Sequence, residues 1–402
     1  GRVQPSDGNH LEESGGDGGM KWEKVRLKDC CYSISDGDHQ PPPKAQQGIP
    51  FVTISNINSM NQLDFSDTMF VPKEYYQSLD EKRKVRKGDV LYSVVGSFGI
   101  PVLIKEERPF VFQRHIAILR PKEDIVDSGF LFYTMLSRDF YAKADAVAIG
   151  AAQRTVSLGS LRNIKIDVPS LESQKHIADI LSAYDDLIEN NQKQIKLLEE
   201  AAQRLYKEWF VNLRFPGHEN TKIVDGVPEG WIKEEIGKII KKVHRTKQIV
   251  ASEYKDEGSI PIVDQSRAFV AGYTNDLEAR VDFGIPIIVF GDHTRIVKLI
   301  QFPFAKGADG TQLIISDCLE MPQRLLYCSI MNVDLSNYHY ARHFKYLKEE
   351  KIIIPTVKVA NEFENNVTGI FSKIQNCRDE IIRCQKTRDL LLPKLMSGEV
   401  EV

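Results

Sequence analysis

Two stretches of the chain place apolar residues at alternating spacings of four and three, and the second stretch begins 186 residues after the first. This heptad spacing is typical of a helix that packs against another helix along a narrow apolar seam. The chain is therefore predicted to contain two long helices that pack on each other. The seam positions are Ile177, Leu181, Tyr184, Ile188, Asn191, Ile195, Leu198, Ala202, Leu205 and Trp209 in the first stretch, and Phe363, Val367, Ile370, Ile374, Cys377, Ile381, Cys384, Arg388, Leu391 and Leu395 in the second.

The same offset relates Pro169–Ser170 to Pro355–Thr356, directly before each seam. Proline closes a strand-like run in both places, and a hydroxyl residue can cap the helix that follows. We expect helices over 171–211 and 357–395. A globular region joins the end of the first helix to the start of the second, so antiparallel packing needs only a short linker. Antiparallel packing places the two globular regions at opposite ends, related by a rough two-fold axis.

Short apolar runs separated by Gly, Pro and Asp precede the first helix, as in a strand-rich domain. We predict strands at 50–54, 89–95, 101–104, 115–119 and 163–168, and a helix at 130–138. The region between the long helices repeats this order: Trp22 corresponds to Trp231, and a glycine turn at Gly96 corresponds to one at Gly291. The predicted fold class is α+β, with two similar strand-rich mixed domains separated by two long helices that form an antiparallel coiled coil, a pseudo-two-fold internal repeat.

These patterns divide the chain into consecutive segments. Residues 1–19 are glycine-rich, acidic and aperiodic, and we expect a tag remnant there. The remaining segments are a first globular domain at 20–169, a long helix at 170–212, a linker at 213–230, a second globular domain at 231–355, and a second long helix with its tail at 356–402.

Composition restricts the class of protein. The net charge of the 402 residues is −3, yet residues 20–170 carry 21 basic against 18 acidic residues, which gives weak support for an anionic ligand. A free-standing DNA-binding protein is usually more basic, so other subunits would supply part of the phosphate contact. The six cysteines have no metal-ligand spacing and indicate a reducing compartment. No apolar run is long enough to cross a bilayer, which argues against a membrane protein.

No catalytic or cofactor motif is apparent. The glycine-rich run Gly307–Thr311 lacks the lysine of a phosphate-binding loop, and no Asn/Asp-Pro-Pro-Tyr/Phe run is present to hold a flipped base. Glu349 and Lys351 form a Glu-x-Lys fragment without an obvious metal cluster. We therefore predict no catalytic residue, no metal site and no cofactor site in this chain.

Polar residues on predicted loops are candidates for contact with DNA. Arginine and glutamine suit the edges of guanine and adenine, respectively, and a basic run can contact phosphate. For His293 and Arg295, a contact with DNA and an ordinary hairpin turn are equally favoured. For each of the other candidates taken singly an ordinary solvated loop is favoured, and a minority of the set is expected to contact DNA. The candidate DNA-binding residues are Arg83, Lys84, Ser97, Gln113, Arg114, Gln153, Arg154, His293, Arg295, His339 and Arg342.

Several segments resemble the specificity subunits of type I restriction–modification systems, the HsdS family. Residues 168–211 resemble the family's central conserved region, residues 390–400 its second conserved region, and residues 87–99 the middle of its target-recognition domain. The resemblance is carried by Pro169, Leu171, Gln174 and Ile177, with Trp209 and Phe210 at the end of the helix. Gln174 is thus grouped with the seam residues as a helix or partner contact, and Ala360 replaces it in the second copy.

The resemblance implies a subunit without a catalytic centre, whose two domains each bind one half of a split double-stranded DNA site. It implies that the helices set the spacing and dock two methyltransferase subunits, which methylate adenine N6 with S-adenosylmethionine. Motor–nuclease subunits that use ATP and magnesium join for restriction. The expected location is the prokaryotic cytoplasm.

Two other classes of protein remain open from the sequence. A coiled-coil scaffold without a nucleic-acid ligand would show the same heptads. A component fused to a nuclease or methyltransferase would need a site that the motifs do not supply.

Overall fold

A computed structural model of the chain describes residues 22–37, 39, 41–58, 60–151, 153–244, 246–338 and 342–402. The expected tag remnant and the candidate His339 lie outside these residues. The chain divides into two compact units: unit 1 comprises residues up to Ile188 together with Ile382–Val402, and unit 2 comprises Glu189–Ile381. The division falls inside the long helices, because each helix packs part of its length into the core of each unit. The predicted boundaries at 169/170 and 355/356 mark positions where a strand leads into a helix.

Unit 1 begins with short strands and helices. Its strands are β1 Glu23–Arg26, β2 Cys31–Asp36, β3 Ile49–Val52, β4 Met69–Val71, β5 Val90–Ser93, β6 Pro101–Leu103, β7 Val111–Phe112, β8 Ile116–Pro121 and β9 Lys165–Val168. Its helices are α1 Leu27–Cys30, α2 Lys73–Ser78, α3 Ser128–Leu136, α4 Arg138–Ala146 and α5 Leu158–Asn163, with 3₁₀ turns at Ile54–Asn56 and Glu81–Arg83. The long helix α6 spans Leu171–Tyr206 and continues as a π-helical turn at Lys207–Val211.

The strands of unit 1 form an antiparallel sheet in the order β2-β8-β5-β6, a smaller sheet in the order β4-β3-β7 and the antiparallel pair β1-β9. All residues of β5 are buried because the strand lies inside the sheet and is covered on both faces. The predicted strands fall on β3, β5, β6, β8 and β9. The helix predicted at 130–138 is divided at Ser137, whose hydroxyl accepts a hydrogen bond from Phe140 N and starts α4.

Unit 2 contains a second set of short elements. Its strands are β10 Ile223–Val224, β11 Val227–Pro228, β12 Ile232–Glu235, β13 Gln248–Ile249, β14 Ile260–Val263, β15 Gly272–Thr274, β16 Arg280–Val281, β17 Ile287–Gly291, β18 Val297–Ile300, β19 Phe304–Gly307, β20 Thr311–Ile314 and β21 Lys351–Ile354. Its helices are α7 Ile236–Ile239, α8 Gln323–Met331 and α9 His343–Glu349, with 3₁₀ turns at His218–Asn220, Ala251–Glu253 and Leu277–Ala279. The second long helix, α10, spans Val357–Ser397.

The pairing of strands repeats between the units, which confirms the predicted internal repeat. The pair β12-β21 repeats β1-β9, and the sheet β18-β17-β20 repeats β6-β5-β8. The strand β14 pairs in parallel with β19 and antiparallel with β15, as β3 pairs with β7 and β4. The predicted turn at Gly291 joins β17 to β18: Gly291 O accepts a hydrogen bond from Arg295 N at 2.8 Å, and the left-handed residue of the turn is Arg295 at φ +60°.

The two long helices are confirmed, and their seam residues are buried or half-buried. Asn191 is 2% exposed. Ser170 caps α6, because its hydroxyl accepts a hydrogen bond from Ser173 N at 3.2 Å. At the start of α10, Thr356 contributes its carbonyl, which accepts the bond from Ala360 N.

The helices run antiparallel in unit 2, as predicted. Glu199 of α6 pairs with Arg378 of α10 at 2.8 Å, and ten residues later in α6 the ring of Trp209 lies 5.7 Å from that of Phe363. Advancing along α6 thus means going back along α10. In unit 1 the same two helices are joined by an ion pair between Asp185 and Arg388.

Candidate nucleic-acid interface

Three loops of unit 1 meet beyond the end of β5. Val94 N donates to His115 O at 2.8 Å, and Gly96 N donates to Arg154 O at 3.0 Å. Val156 N donates to Val94 O at 2.9 Å, a second bond between the segment after β5 and the segment that contains Arg154. We call this surface the unit 1 loop face; it comprises residues 96–99, 113–115, 150–151 and 153–155. It brings together Ser97, Gln113, Arg114, Gln153 and Arg154, which lie on separate segments of the sequence.

The side chains of this face differ in how free they are to bind a ligand. Arg114 is exposed, and within the described residues it takes part in no ion pair. Arg154 is held by Asp145, whose carbonyl and carboxylate lie 2.6 and 3.1 Å from Nη2. Ser97 and Gln153 are exposed, whereas Gln113 is half-buried. Arg114 is therefore the cation of this face that is best placed to contact an anionic ligand.

The turn that carries Ser97 has a defined shape. Gly96 and Gly99 have positive φ values of +71° and +97°, which glycine adopts without a steric penalty. Between them, Phe98 is buried and stacks on Tyr141, with ring centroids 5.3 Å apart. Ser97 consequently lies on a turn that is held to the core by the stacking of Phe98 on Tyr141.

Arg83 and Lys84 do not join this face. Lys84 O accepts a hydrogen bond from Arg120, near the end of β8 that lies away from His115. The ammonium group of Lys84 pairs with Glu81 at 2.6 Å, and the side chain is only 16% exposed. The contact of Lys84 with DNA stays a prediction, and the pair with Glu81 leaves this lysine less available to an anionic ligand than a cation without an ion pair. Arg83 is half-buried in the same 3₁₀ turn.

Unit 2 has the equivalent surface beyond the end of β17. Asp292 N donates to Gly310 O at 2.7 Å. The side chain of Gln265 joins the loops, since its Oε1 accepts from His293 N at 3.0 Å and its Nε2 donates to Asp309 O at 2.9 Å. We call this surface the unit 2 loop face; it comprises residues 264–268, 292–295, 308–310, 335–338 and 342–343.

Asp292 fixes the third loop of this face. It is 5% exposed, its carboxylate accepts a hydrogen bond from Phe344 N at 2.8 Å, and its carbonyl accepts one from His343 N at 2.9 Å. Burial, followed by the nearby charge of Arg295, lowers the pKa of His343. Arg342 is exposed directly before α9.

His293 and Arg295 are both exposed on the turn after β17. Arg295 donates from Nη1 to Leu335 O at 3.0 Å, which orients its guanidinium group and leaves other N–H groups for a ligand. Gly310 lies so close to the ring of His293 that a Cβ atom there would approach Cδ2 to 2.7 Å. The guanidinium of Arg295 and the backbone of His293 are thus held by hydrogen bonds to neighbouring loops, as a surface that reads base edges requires.

The chain is similar to known proteins along most of its length. Residues 20–200 match the family model described as the type I restriction modification DNA specificity domain. The MjaIX specificity subunit of Methanocaldococcus jannaschii, of a type I restriction enzyme, is 28% identical over 79% of this chain and 78% of its own length. The HindI specificity subunit of Haemophilus influenzae is 30% identical over 48% of this chain and 41% of its own.

The fold agrees. The crystal structure of a type I restriction–modification S subunit from M. genitalium matches with a TM-score of 0.58 at 16% identity, covering 96% of this chain and 98% of that one. The chain is thus similar in sequence to type I restriction–modification specificity subunits, and it shares the fold of one of them. The relatives are named as specificity subunits rather than methyltransferases or nucleases, and subunits of this kind are non-catalytic. They act in complexes with DNA and other subunits.

The structure changes one part of the predicted recognition chemistry. Gln174 is completely buried: its Oε1 accepts from Asp127 N at 2.8 Å, and its Nε2 donates to Ile125 O and Pro169 O. A partner contact through Gln174 is therefore wrong, because all of its hydrogen-bonding groups serve the interior of unit 1. Ala360, at the equivalent position, is also completely buried.

The sequence reasoning missed several polar residues of unit 2. Gln265 and Arg267 follow β14 on the unit 2 loop face, and Arg267 is exposed. The segment 241–247 contains exposed Lys242 and His244, and its Val243 packs in the same apolar cluster as Phe269 of the neighbouring loop. The dense run of basic residues in this segment was a usable signal. Gln265 offered none, because its role depends on contacts with distant loops.

The side chains and helices in the part of the chain that the structure describes bear on two further kinds of interaction, with metal ions and with membranes. No cluster of three His, Cys, Asp or Glu side chains suited to a metal ion is found there. None of its helices combines the length and the apolar character needed to cross a membrane.

Proposed function

We propose that this chain is a specificity subunit that reads a bipartite DNA target, with the unit 1 loop face on one half-site and the unit 2 loop face on the other. The observation that carries the proposal is the repetition of one arrangement: in each unit, equivalent loops meet beyond the end of an equivalent strand, β5 or β17. The side chains on the two surfaces differ. Repeated frameworks with different polar side chains suit recognition of two different base sequences.

Each loop face offers the donors that base edges accept. Arg114 of unit 1 and Arg295 of unit 2 can bond guanine O6 and N7, and Gln153 can bond an adenine edge. His293 can reach a base edge or a phosphate. The exposed Lys242 and Arg267 of unit 2 add positive charge for phosphate contact.

The same proposal assigns the chemistry to partner subunits. Two methyltransferase subunits would dock on the outer faces of α6 and α10 and bind S-adenosylmethionine to methylate adenine. Motor–nuclease subunits would bind ATP and magnesium. The small net charge of this chain is consistent with partners that share the phosphate contacts. Such a complex would work in the prokaryotic cytoplasm, where its DNA lies.

The proposal is tested by expressing the chain with its methyltransferase subunits and mapping methylated adenines over a library of target sequences. Arg114→Ala is expected to relax the base preference of one half-site only, and His293→Ala that of the other half-site only. Loss of one good base contact weakens discrimination by about 5- to 100-fold.

Lys165→Ala and Lys233→Ala are matched controls, because these lysines are exposed on the strand pairs β1-β9 and β12-β21. Neither control is expected to change the methylated sequence. Methylation without sequence preference in the wild-type complex, or relaxation of both half-sites by either single variant, would contradict the proposal.

A further inference from the structure

We infer that Arg378 of α10 is a positioning residue for base discrimination by unit 2, acting through Phe269 on the loop that follows β14. The inference rests on the proposed reading of DNA by the unit 2 loop face. It gives the long helix pair a role in shaping one of the reading loops.

The loop at 264–269 is tied to the unit 2 loop face at its start. Gln265 bonds the backbone of His293 and of Asp309, and its own carbonyl accepts a hydrogen bond from the hydroxyl of Thr294 at 2.7 Å. The exposed Arg267 lies two residues further on. Any displacement of this loop therefore moves both Arg267 and the turn that presents His293.

A buried lysine forms hydrogen bonds with the backbone of the loop at 264–269. Lys298 of β18 is 5% exposed, and its ammonium group donates to the carbonyls of Asp264 and Ala268. Asp264 in turn accepts hydrogen bonds from the backbone N and hydroxyl of Ser266 at 2.9 and 2.6 Å. These bonds define the path of the loop up to Ala268. The last residue, Phe269, packs against Phe302, with ring centroids 6.1 Å apart, and its ring makes a further contact with a charged group.

That contact comes from the helix pair. The guanidinium carbon of Arg378 lies 3.7 Å from the ring centroid of Phe269, a close cation–π arrangement. Arg378 is itself held by Glu199 of α6, with Nη2 and Oε1 2.8 Å apart, and its side chain is 18% exposed. The planar guanidinium thus bridges both long helices to the loop, and a lysine could keep the charge but not the flat stacking surface.

Unit 1 offers a contrast within the same chain. Arg388 of α10 also pairs with an acidic residue of α6, Asp185, which accepts a further hydrogen bond from Tyr133 of α3. Arg388 thus fastens the helix pair to a core helix, whereas Arg378 fastens it to a reading loop. Arg388→Lys is therefore a matched control for Arg378→Lys: the same substitution on the same helix, in a similar ion pair, without a stacked loop.

The experiment uses the complex reconstituted from the full chain and its methyltransferase subunits. The ratio of kcat/KM for the preferred DNA site to that for single-base variants is measured separately in each half-site. Arg378→Lys and Phe269→Leu are each expected to lower discrimination in the half-site read by unit 2 about tenfold, and to leave the other half-site unchanged. The double variant is expected to lose no more than either single variant, because both remove one contact. Arg388→Lys is expected to alter neither ratio.

The inference is overturned if Phe269→Leu and Arg378→Lys leave both ratios unchanged, if they lower both half-sites alike, or if their effects multiply in the double variant. If one of these two variants fails to assemble into the complex, the other variant alone decides the outcome. Each variant removes the stack of Arg378 on Phe269 by changing a different one of the two residues. A wild-type complex that methylates without sequence preference would instead refute the proposed function. A wild-type complex that reads both half-sites, with variants that read them equally well, refutes only the inference about Arg378.

Discussion

Asp185 of α6 and Arg388 of α10 form an ion pair with 2.6 Å between Oδ1 and Nη1, and the second carboxylate oxygen of Asp185 accepts a hydrogen bond from Tyr133 at 2.6 Å. The two side chains of the pair are 23% and 22% exposed. One carboxylate therefore joins both long helices and the helix α3 of the globular part of unit 1. Partial burial makes such a pair more consequential than one on the open surface.

Arg388→Met is expected to destabilise unit 1 by about 1–3 kcal/mol, because it leaves the half-buried carboxylate of Asp185 without its cation. Hydrogen exchange of the full chain, followed by mass spectrometry, should show faster exchange at 382–397. Arg383→Met, an exposed position on the same helix, is the control. Equal exchange in the two variants would show that the ion pair contributes nothing to holding this part of α10.

Gln174→Ala is expected to cost about 2–3 kcal/mol of the free energy of unfolding, because it leaves Asp127 N and the carbonyls of Ile125 and Pro169 without the partners they have inside unit 1. The measurement is urea denaturation of the full chain. Lys175→Ala, at the neighbouring exposed position, should change the unfolding free energy by less than about 0.5 kcal/mol. If Gln174→Ala instead left stability intact and weakened binding of a methyltransferase subunit, the assignment of Gln174 to the interior would be refuted.

Lys298 makes stability depend on pH. Burial lowers its pKa to about 8, against 10.5 for an ordinary lysine. Between these two values the unfolded chain binds more protons at this residue than the folded chain, so the contribution of Lys298 to the free energy of unfolding rises with pH. This gain is complete above the ordinary value and is lost as the pH falls towards 8.

Lys298→Met removes both the titration and the hydrogen bonds to the carbonyls of Asp264 and Ala268. We expect it to be less stable than the wild type by about 1–3 kcal/mol at pH 7, and the difference to widen from pH 7 to pH 10. Denaturation curves of both proteins at several pH values measure it. A difference that narrows with rising pH would contradict the lowered pKa.

Lengthening both long helices by one heptad, between Ile188 and Glu189 and between Ile381 and Ile382, tests the spacing role of the helices. Seven residues add about 10 Å to a helix, which corresponds to at most about 3 base pairs of DNA. We expect the spacer of the methylated sequence to lengthen while both half-sites keep their bases. Methylation mapping in the reconstituted complex measures this, and altered half-site bases at an unchanged spacer would contradict the role.

Most of the helical framework was predictable from sequence. The seam from Ile177 to Trp209 and its counterpart from Phe363 to Leu395 repeat at heptad spacing, a local pattern that only a packed helix explains over so many residues. The correspondence between Trp22 and Trp231 in the sequence predicted the repeated domain, because each tryptophan directly precedes the first strand of the pair β1-β9 or β12-β21. Element limits were less accurate: the capping hydroxyl of Ser137 divides a helix that the apolar pattern showed as one.

The candidate interface was predictable only in part. Gln113, Gln153 and His293 were found because turn chemistry and side-chain type are visible in sequence. Gln265 and Arg378 were not found, since their partners His293 and Phe269 lie 28 and 109 residues away and no local pattern links them. Gln174 was misassigned for the same reason, because its partners Asp127 and Ile125 lie 47 and 49 residues away.

The order of residues alone determined two long packed helices and a repeated strand-rich domain, because periodicity and turn residues are properties of neighbouring residues. Only the tertiary structure decided which loops meet beyond β5 and β17. It also decided which polar side chains form hydrogen bonds in the interior, as Gln174 does, and that Arg378 contacts the loop of Phe269. Those outcomes depend on long-range strand pairing and on burial, and both bring together residues that are distant in the chain.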